Sequence, residues 1–304
     1  MPELPEVEVV RRGLAGHVLG ATLAGIEVLH PRAVRRQPGG PAELVALLSG
    51  RTITATGRRG KFLWLATDDP GLVLDAHLGM SGQFRVDAPA GAATILGEDG
   101  PVEAVDAGPR RHARVRFALA DDRQLWFVDQ RTFGWVAADW LVADPAGVPV
   151  PTLVRAIAPD PTEPGFDPRV VARAMRHHRV EVKRLLLDQS LVSGVGNIYA
   201  DEALWRAGVH PRRRADRMAL ADLVRVLEAA AAVMAEALAA GGTSFDSLYV
   251  NVNGESGYFA RGLAVYGRAG LPCPRCGTPI VRERFTNRSS HLCPTCQRPP
   301  RARH

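Results

Sequence analysis

The chain has 304 residues, 46% of them hydrophobic and 23% charged, with a formal net charge of +6. That length suits two domains better than one core, and the composition is ordinary for a globular protein, which argues against a largely disordered chain. No run of about eighteen apolar residues is free of charge, and the opening MPELPEVEVVRRG lacks an apolar signal core. Neither a membrane span nor a leader is therefore expected, and the protein is assigned to the cytoplasm or the nucleoid within it.

In chain order, residues 6–19 predict a helix with Val7, Val10, Leu14 and Val18 on one face. Pro2 and Pro5 stand at its entrance, where a missing N–H costs nothing, and Glu3 and Glu6 suit the positive end of the helix dipole. Residues 21–140 turn to strands, with short β-branched or alternating runs at 52–56, 62–67, 72–76, 83–86, 113–119 and 124–128. Their number and spacing predict a sandwich or barrel. Residues 87–110 read as a long surface loop, and the seven prolines between 145 and 170 read as a linker. Helical periodicity then predicts helices at 180–189, 198–207 and 219–240, the last stopped by Gly241-Gly242. Residues 243–262 are too rich in Gly, Asn and Ser for a regular element.

The charge is unevenly placed. Residues 261–304 hold nine arginines and one acid, Glu283, for +8, which leaves the first 260 residues at −2. The C-terminal module is thus the first place to look for a polyanion contact, a solubilising tail being the alternative. Only Lys61 and Lys183 are lysines among 38 basic residues. In a chain that otherwise uses arginine, each is a candidate for a site that needs a compact ammonium able to release a proton.

Cys273-x2-Cys276 and Cys293-x2-Cys296 use every cysteine present and match a four-thiolate zinc ribbon. A complete thiolate set leaves no open position for water, so such an ion would be structural. Pairs of disulfides are disfavoured in a cytoplasmic chain. At the other end, loss of Met1 would expose Pro2 as a free secondary amine. Such α-amino groups titrate roughly 2.5 units below lysine and can attack an electrophilic carbon to give an iminium ion. Glu3 stands next to it for proton transfer, although on the dipeptide alone the better reading of Pro2-Glu3 is a plain helix start. The Ser193–Ile198 loop (SGVGNI) places glycines ahead of a helix, which suits a phosphate but also an ordinary helix connection.

Pro2-Glu3-Leu4-Pro5-Glu6, Arg59-Gly60-Lys61, His77-Leu78-Gly79-Met80-Ser81-Gly82, Gly194–Ala200 (GVGNIYA) and the cysteine ribbon occur in one order over residues 2–296. Together they resemble the formamidopyrimidine-DNA glycosylase family. The resemblance implies an α+β chain of four parts: an N-terminal β-sandwich with a leading helix (1–144), a linker (145–165), a helix–two-turn–helix domain (166–262) and a zinc ribbon with tail (263–304). The loop 243–262 would close over the flipped lesion. It implies a monomeric enzyme acting on damaged duplex DNA, with one structural Zn²⁺ and no organic cofactor.

The same resemblance assigns roles. Pro2 would be the nucleophile at C1′, Glu3 the acid–base group, Lys61 a proton donor in β-elimination, and Arg288 a phosphate contact assisting δ-elimination. Met80, Arg131 and Phe133 would fill the void left by the extruded base, with Glu6 near the lesion. His112, His178, Lys183 and Asn197 would contact DNA, as would Arg131. Two other readings remain: an endonuclease VIII-like enzyme for oxidised pyrimidines, which typically begins PEGPE rather than PELPE, and a non-catalytic zinc-ribbon DNA-binding protein.

Overall fold

A computed structural model describes residues 2–87, 112–241 and 262–300, together with the backbone of a two-stranded ladder, β6 (Leu96–Gly97) with β7 (Gly100–Pro101). Most of the expected surface loop 87–110 and nearly all of the loop 243–262 lie outside the described residues. Among the described residues no helix is long and apolar enough to cross a membrane.

The leading helix α1 runs Leu4–Val18, and Glu3 with Glu6 closes a capping box at its start. Two antiparallel sheets follow. One is ordered β1 (Leu23–Val28), β8 (Ala113–Leu119), β9 (Gln124–Asp129), β5 (Gly82–Asp87). The other is ordered β11 (Pro149–Pro151), β10 (Trp135–Ala143), β4 (Leu72–His77), β3 (Phe62–Thr67), β2 (Ile53–Arg59). Alternate residues such as Leu63, Leu65, Leu72 and Leu74 on the second sheet meet Phe84, Phe117, Leu125 and Phe127 on the first in one buried cluster. Val7, Val10, Leu14 and Val18 of α1 join that cluster, as the helical periodicity predicts. A second helix, α2 (Gly40–Leu48), also packs there through Leu44 and Leu48.

The expected linker is docked. β11 pairs with β10, and Asp144, Asp160 and Glu163 receive the two arginines of β2. Arg58 donates to Asp160 at 2.6 Å and Arg59 to Asp144 at 2.6 Å, with Arg59 only 2% exposed. The proline-rich linker is therefore held in place along its course. Its charges are satisfied by residues about a hundred positions away.

The helical domain comprises α3 (Pro168–Arg176), α4 (Val182–Leu186), α5 (Asn197–Arg206) and α6 (Leu220–Ala239). Its core contains Leu4, so α1 contributes its first residue to the second domain and the rest of its buried face to the first. The ribbon closes the chain with the hairpin β12 (Val281–Phe285) and β13 (Arg288–Leu292).

Candidate active site at the domain junction

One row of paired residues sets the sandwich side of the site. Phe62 pairs with His77 and His77 with Trp135, so three strands end level with one another. Their rings form a contact row, with Phe62 to His77 at 4.9 Å and His77 to Trp135 at 6.2 Å between centroids. The residues just beyond this row are Lys61, the Leu78–Gly82 turn with Met80, and the Arg131–Gly134 turn. Register thus delivers three functional segments to one edge.

Two of these turns are tied together. Asp129 accepts from Ser81 Oγ at 2.5 Å, from the Arg131 amide at 3.1 Å and from the Gly134 amide at 2.7 Å. Arg35 donates to the carbonyls of Phe133 and Gly134, both at 2.6 Å. A Cβ on Gly79 would stand 2.4 Å from the Gly134 nitrogen, so only glycine permits this approach, and its φ of +63° is also one that side chains resist. The result presents Met80 half-buried, Arg131 exposed with its guanidinium 3.7 Å from the Met80 sulfur, and Phe133 47% exposed. Phe133 is therefore no core aromatic.

The acid is held across the domain boundary. Glu3 is 2% exposed, and its carboxylate accepts from the amides of Gly196 at 2.8 Å, Ile198 at 2.9 Å and Tyr199 at 3.3 Å. The group at the positive end of α5 is thus this chain's own carboxyl, at a loop whose glycines suited either a phosphate or a plain helix connection. A Cβ on Gly196 would lie 2.2 Å from the Glu3 carboxyl carbon, so the missing side chain is what admits the acid. Burial pushes the Glu3 carboxyl above its ordinary range, the nearby Lys61 ammonium pulls it back, and Glu6 pushes it up again. Pro2, buried beside Glu3, is fixed at the same junction.

Lys61 enters from the turn between β2 and β3. It is 8% exposed and donates to the Val195 carbonyl at 2.8 Å. Burial draws its pKa down to about 8, Glu3 and Glu6 raising it and Arg288 lowering it. His77, which the sequence reading passed over although it opens the HLGM motif, stands in the same field. Burial, then Lys61, Arg35 and Arg36, bring it down to about 4, so it is neutral near pH 7.

Several expected DNA contacts sit differently. Glu6, expected near the lesion, is buried, with its oxygens taken by the Glu3 amide and the Tyr199 hydroxyl, both at 2.8 Å. Lys183, expected on a phosphate clamp, is 0% exposed and donates to Asp201 Oδ1 at 2.7 Å, Ser290 Oγ at 2.7 Å and the Ser289 carbonyl at 3.0 Å. An ammonium has three donors, and all three are spent inside the protein. The half-buried Asn197 donates to the same Ser289 carbonyl at 3.1 Å. His112 is half-buried at the start of β8 and His178 is exposed beyond α3.

These contacts place Arg288. It is exposed at the turn of the ribbon hairpin, one residue before the Ser289 carbonyl that Lys183 and Asn197 hold. Asp201 extends the anchor by accepting from the Ser290 hydroxyl at 3.1 Å and the His291 amide at 2.8 Å. At the other end of the ribbon, the sulfurs of Cys273, Cys276, Cys293 and Cys296 all lie within 4.8 Å of one another. Separations of 3.5, 3.5 and 4.0 Å are too long for a disulfide. They fit the edge of about 3.8 Å that a tetrahedron of sulfurs at zinc-thiolate distance requires. The donor set and its shape therefore suit one Zn²⁺.

Three family models match the chain: the formamidopyrimidine-DNA glycosylase N-terminal domain over residues 1–136, the corresponding H2TH domain over 157–248, and a zinc finger found in Fpg and isoleucyl-tRNA synthetase over 270–299. A chain assembled from these parts around a buried acid and lysine is a bifunctional DNA glycosylase and AP lyase with a zinc-finger domain. It is 58% identical to the formamidopyrimidine-DNA glycosylase of Corynebacterium urealyticum over 98% of this chain and 99% of that one. It is 55% identical to that of Mycobacterium avium, over 99% and 100% of the two chains. Among solved structures it resembles the Fpg protein of Thermus thermophilus, with a TM-score of 0.80, 36% identity and coverage of 97% and 98%. It also resembles Lactococcus lactis Fpg in complex with DNA containing an abasic site, with a TM-score of 0.78, 32% identity and coverage of 98% and 100%. The chain belongs to the formamidopyrimidine-DNA glycosylase family.

Proposed function

We propose that the protein, as a cytoplasmic monomer, excises oxidised purines (8-oxoguanine and formamidopyrimidines) from duplex DNA and then cuts the strand by β,δ-elimination. The observation that carries this reading is the meeting of Pro2-Glu3 and Lys61 around the 194–196 loop, acid and ammonium both buried. With Met1 removed, the Pro2 nitrogen attacks C1′. The N–C1′ bond forms as the glycosidic bond breaks, and the base departs with a proton. Glu3, its carboxyl raised by burial, handles protons at this step. The resulting iminium acidifies C2′. Loss of a C2′ proton expels the 3′ phosphate, with Lys61 donating a proton. A second elimination then expels the 5′ phosphate, with Arg288 on the phosphates. Met80, Arg131 and Phe133 enter the gap left by the base, which limits an unstacking cost of a few kcal/mol. Cys273, Cys276, Cys293 and Cys296 hold a structural Zn²⁺ that fixes the ribbon under Arg288.

Substrate choice is tested with duplexes carrying 8-oxoguanine, formamidopyrimidine or an oxidised pyrimidine. Purine lesions are expected to be excised at least about tenfold faster, and Phe133→Ala to lose about tenfold on them, roughly the value of one lost stacking contact. A preference for the pyrimidine would make the endonuclease VIII-like reading correct, and no excision of any lesion would leave only the binding protein.

Lys61 gives a pH signature. Its ammonium form, needed to donate a proton, is depleted as pH rises through about 8, so kcat/KM for strand cleavage is expected to fall there. Folding stability moves oppositely. A lysine whose folded pKa lies below its ordinary 10.5 leaves the unfolded chain binding more protons, so stability rises with pH between those values. Lys61→Arg is expected to remove the alkaline limb at lower activity; a limb at 8 that survives this change would assign it to another group.

A further inference from the structure

We propose a second DNA-binding surface, a basic groove beyond the C-terminal end of α5, which takes the phosphodiester backbone of a separate duplex. It rests on DNA being the partner and needs none of the chemistry at Pro2.

The groove, of about 1160 Å³, is lined by Arg212, Arg213, Arg214, Arg217 and Arg298, and no carboxylate lines it. Two of these are partly engaged: Arg214 pairs with Asp216 at 2.7 Å, and Arg212 lies 3.7 Å from Glu283 while donating to the Arg284 carbonyl. Arg213, Arg217 and Arg298 are exposed and form no ion pair with a described residue. This concentration is local, because residues 1–260, which hold four of the five, are net −2.

Two elements run from the site to the groove. α5 meets Glu3 at its N-terminus and leads from its other end to Gly208 in the groove wall, its ten residues spanning about 15 Å. β13 starts at Arg288 and leads into the knuckle that contributes Cys296 to the groove. A duplex engaged at Glu3 therefore meets the opposite end of α5, while Arg212 alone of the groove arginines reaches the hairpin of Arg288, through the Arg284 carbonyl. The groove is also a fixed structure. Gln297, fully buried, donates to the Val209 carbonyl at 2.9 Å and accepts from the Cys293 amide at 2.9 Å, which locks the segment carrying Arg298 against the loop after α5.

Guanidinium forks match phosphate oxygens in pairs, and a phosphate backbone needs charge at intervals rather than side-chain pockets. Apart from Met218 and two prolines the wall offers no apolar recess for a peptide anchor, so nucleic acid is favoured over an acidic polypeptide. A protein holding two duplexes can pass from one to the other without full release.

The test uses the zinc-loaded full chain saturated with a fluorescein-labelled duplex carrying a reduced abasic site, to which a rhodamine-labelled undamaged duplex is added at low salt. Energy transfer between the two labels is expected. In a variant combining Arg213→Ala, Arg217→Ala and Arg298→Ala, affinity for the second duplex is expected to fall at least tenfold, with less than a twofold change at the lesion duplex. No energy transfer in the unaltered protein overturns the proposal, as does an equal signal from the variant. A parallel loss at both duplexes would make the groove part of the first footprint, and displacement of only the second duplex by polyglutamate at lower concentration than by DNA would assign it to an acidic polypeptide. Failure of the lesion duplex to bind at all would instead remove the DNA reading itself.

Discussion

Borohydride is expected to trap a covalent complex between this protein and duplex DNA containing 8-oxoguanine, with the adduct on residue 2. The argument is geometric. Pro2 precedes Glu3, whose carboxylate accepts from three amides at the start of α5, while the Leu4 amide donates to the Gly194 carbonyl at 3.1 Å and ties the backbone at the first turn of α1. An amine so placed has little freedom to search for its target, which is the condition under which a nucleophile gains most from orientation. Burial excludes the water that would hydrolyse an iminium. A variant with one extra residue ahead of Pro2 converts the amine to an amide, which has no basic lone pair. It is expected to lose trapping and to slow base release by on the order of 10³-fold or more, in line with removing a nucleophile that works as a unit with its acid. Glu3→Gln keeps part of the hydrogen bonding yet cannot exchange a proton, and roughly 10²–10⁴-fold is the expected loss. An adduct on Lys61, or full activity from the extended chain, would transfer the nucleophile's role elsewhere.

What could be read in advance divides by the distance over which the information is carried. The ribbon was legible because four ligands lie in two short motifs, and Lys61 was marked because it is one of only two lysines among 38 basic residues. The strands at 62–67 and 113–119 alternate between faces and appear with those bounds. β10 escaped notice because its first five residues are buried on both faces, which erases the alternation. The chain reading also passed over β1, α2 and α3, short segments whose apolar residues find partners only in the assembled cores. The proline-rich linker was legible as a connection but its docking was not, because the ion pairs that hold it join β2 to residues about a hundred positions away. Lys183 shows the same limit from the other side: composition marked the residue, but its partners Asp201 and Ser290 come from α5 and β13. The glycine loop before α5 suited either a phosphate or a plain helix connection, and the Glu3 carboxylate that occupies it comes from the far end of the sequence.

Asp201→Ala is expected to be the most destabilising single change in the helical domain and to impair the second elimination more than the first. Lys183 and Asp201 are 0% and 1% exposed, so removing the carboxylate strands a buried ammonium. Breaking such a pair costs about 3–5 kcal/mol, and here the Ser290 hydroxyl and His291 amide lose their acceptor as well. A lower urea midpoint for the helical domain checks the first part. The second follows from where the anchor ends, at the Ser289 carbonyl beside Arg288. A hairpin freed there still lets Pro2 and Lys61 act, so β-cleaved product should accumulate over β,δ-cleaved product on a sequencing gel. Stability and position can be separated by joining Lys183→Met with Asp201→Leu. An apolar pair of similar volume removes the buried-charge penalty, and stability is expected to recover. The three hydrogen bonds from Lys183 to Asp201, Ser289 and Ser290 do not recover, so the product ratio should stay shifted toward β-elimination. A normal ratio in that double variant would show that Lys183 holds the fold together without placing Arg288.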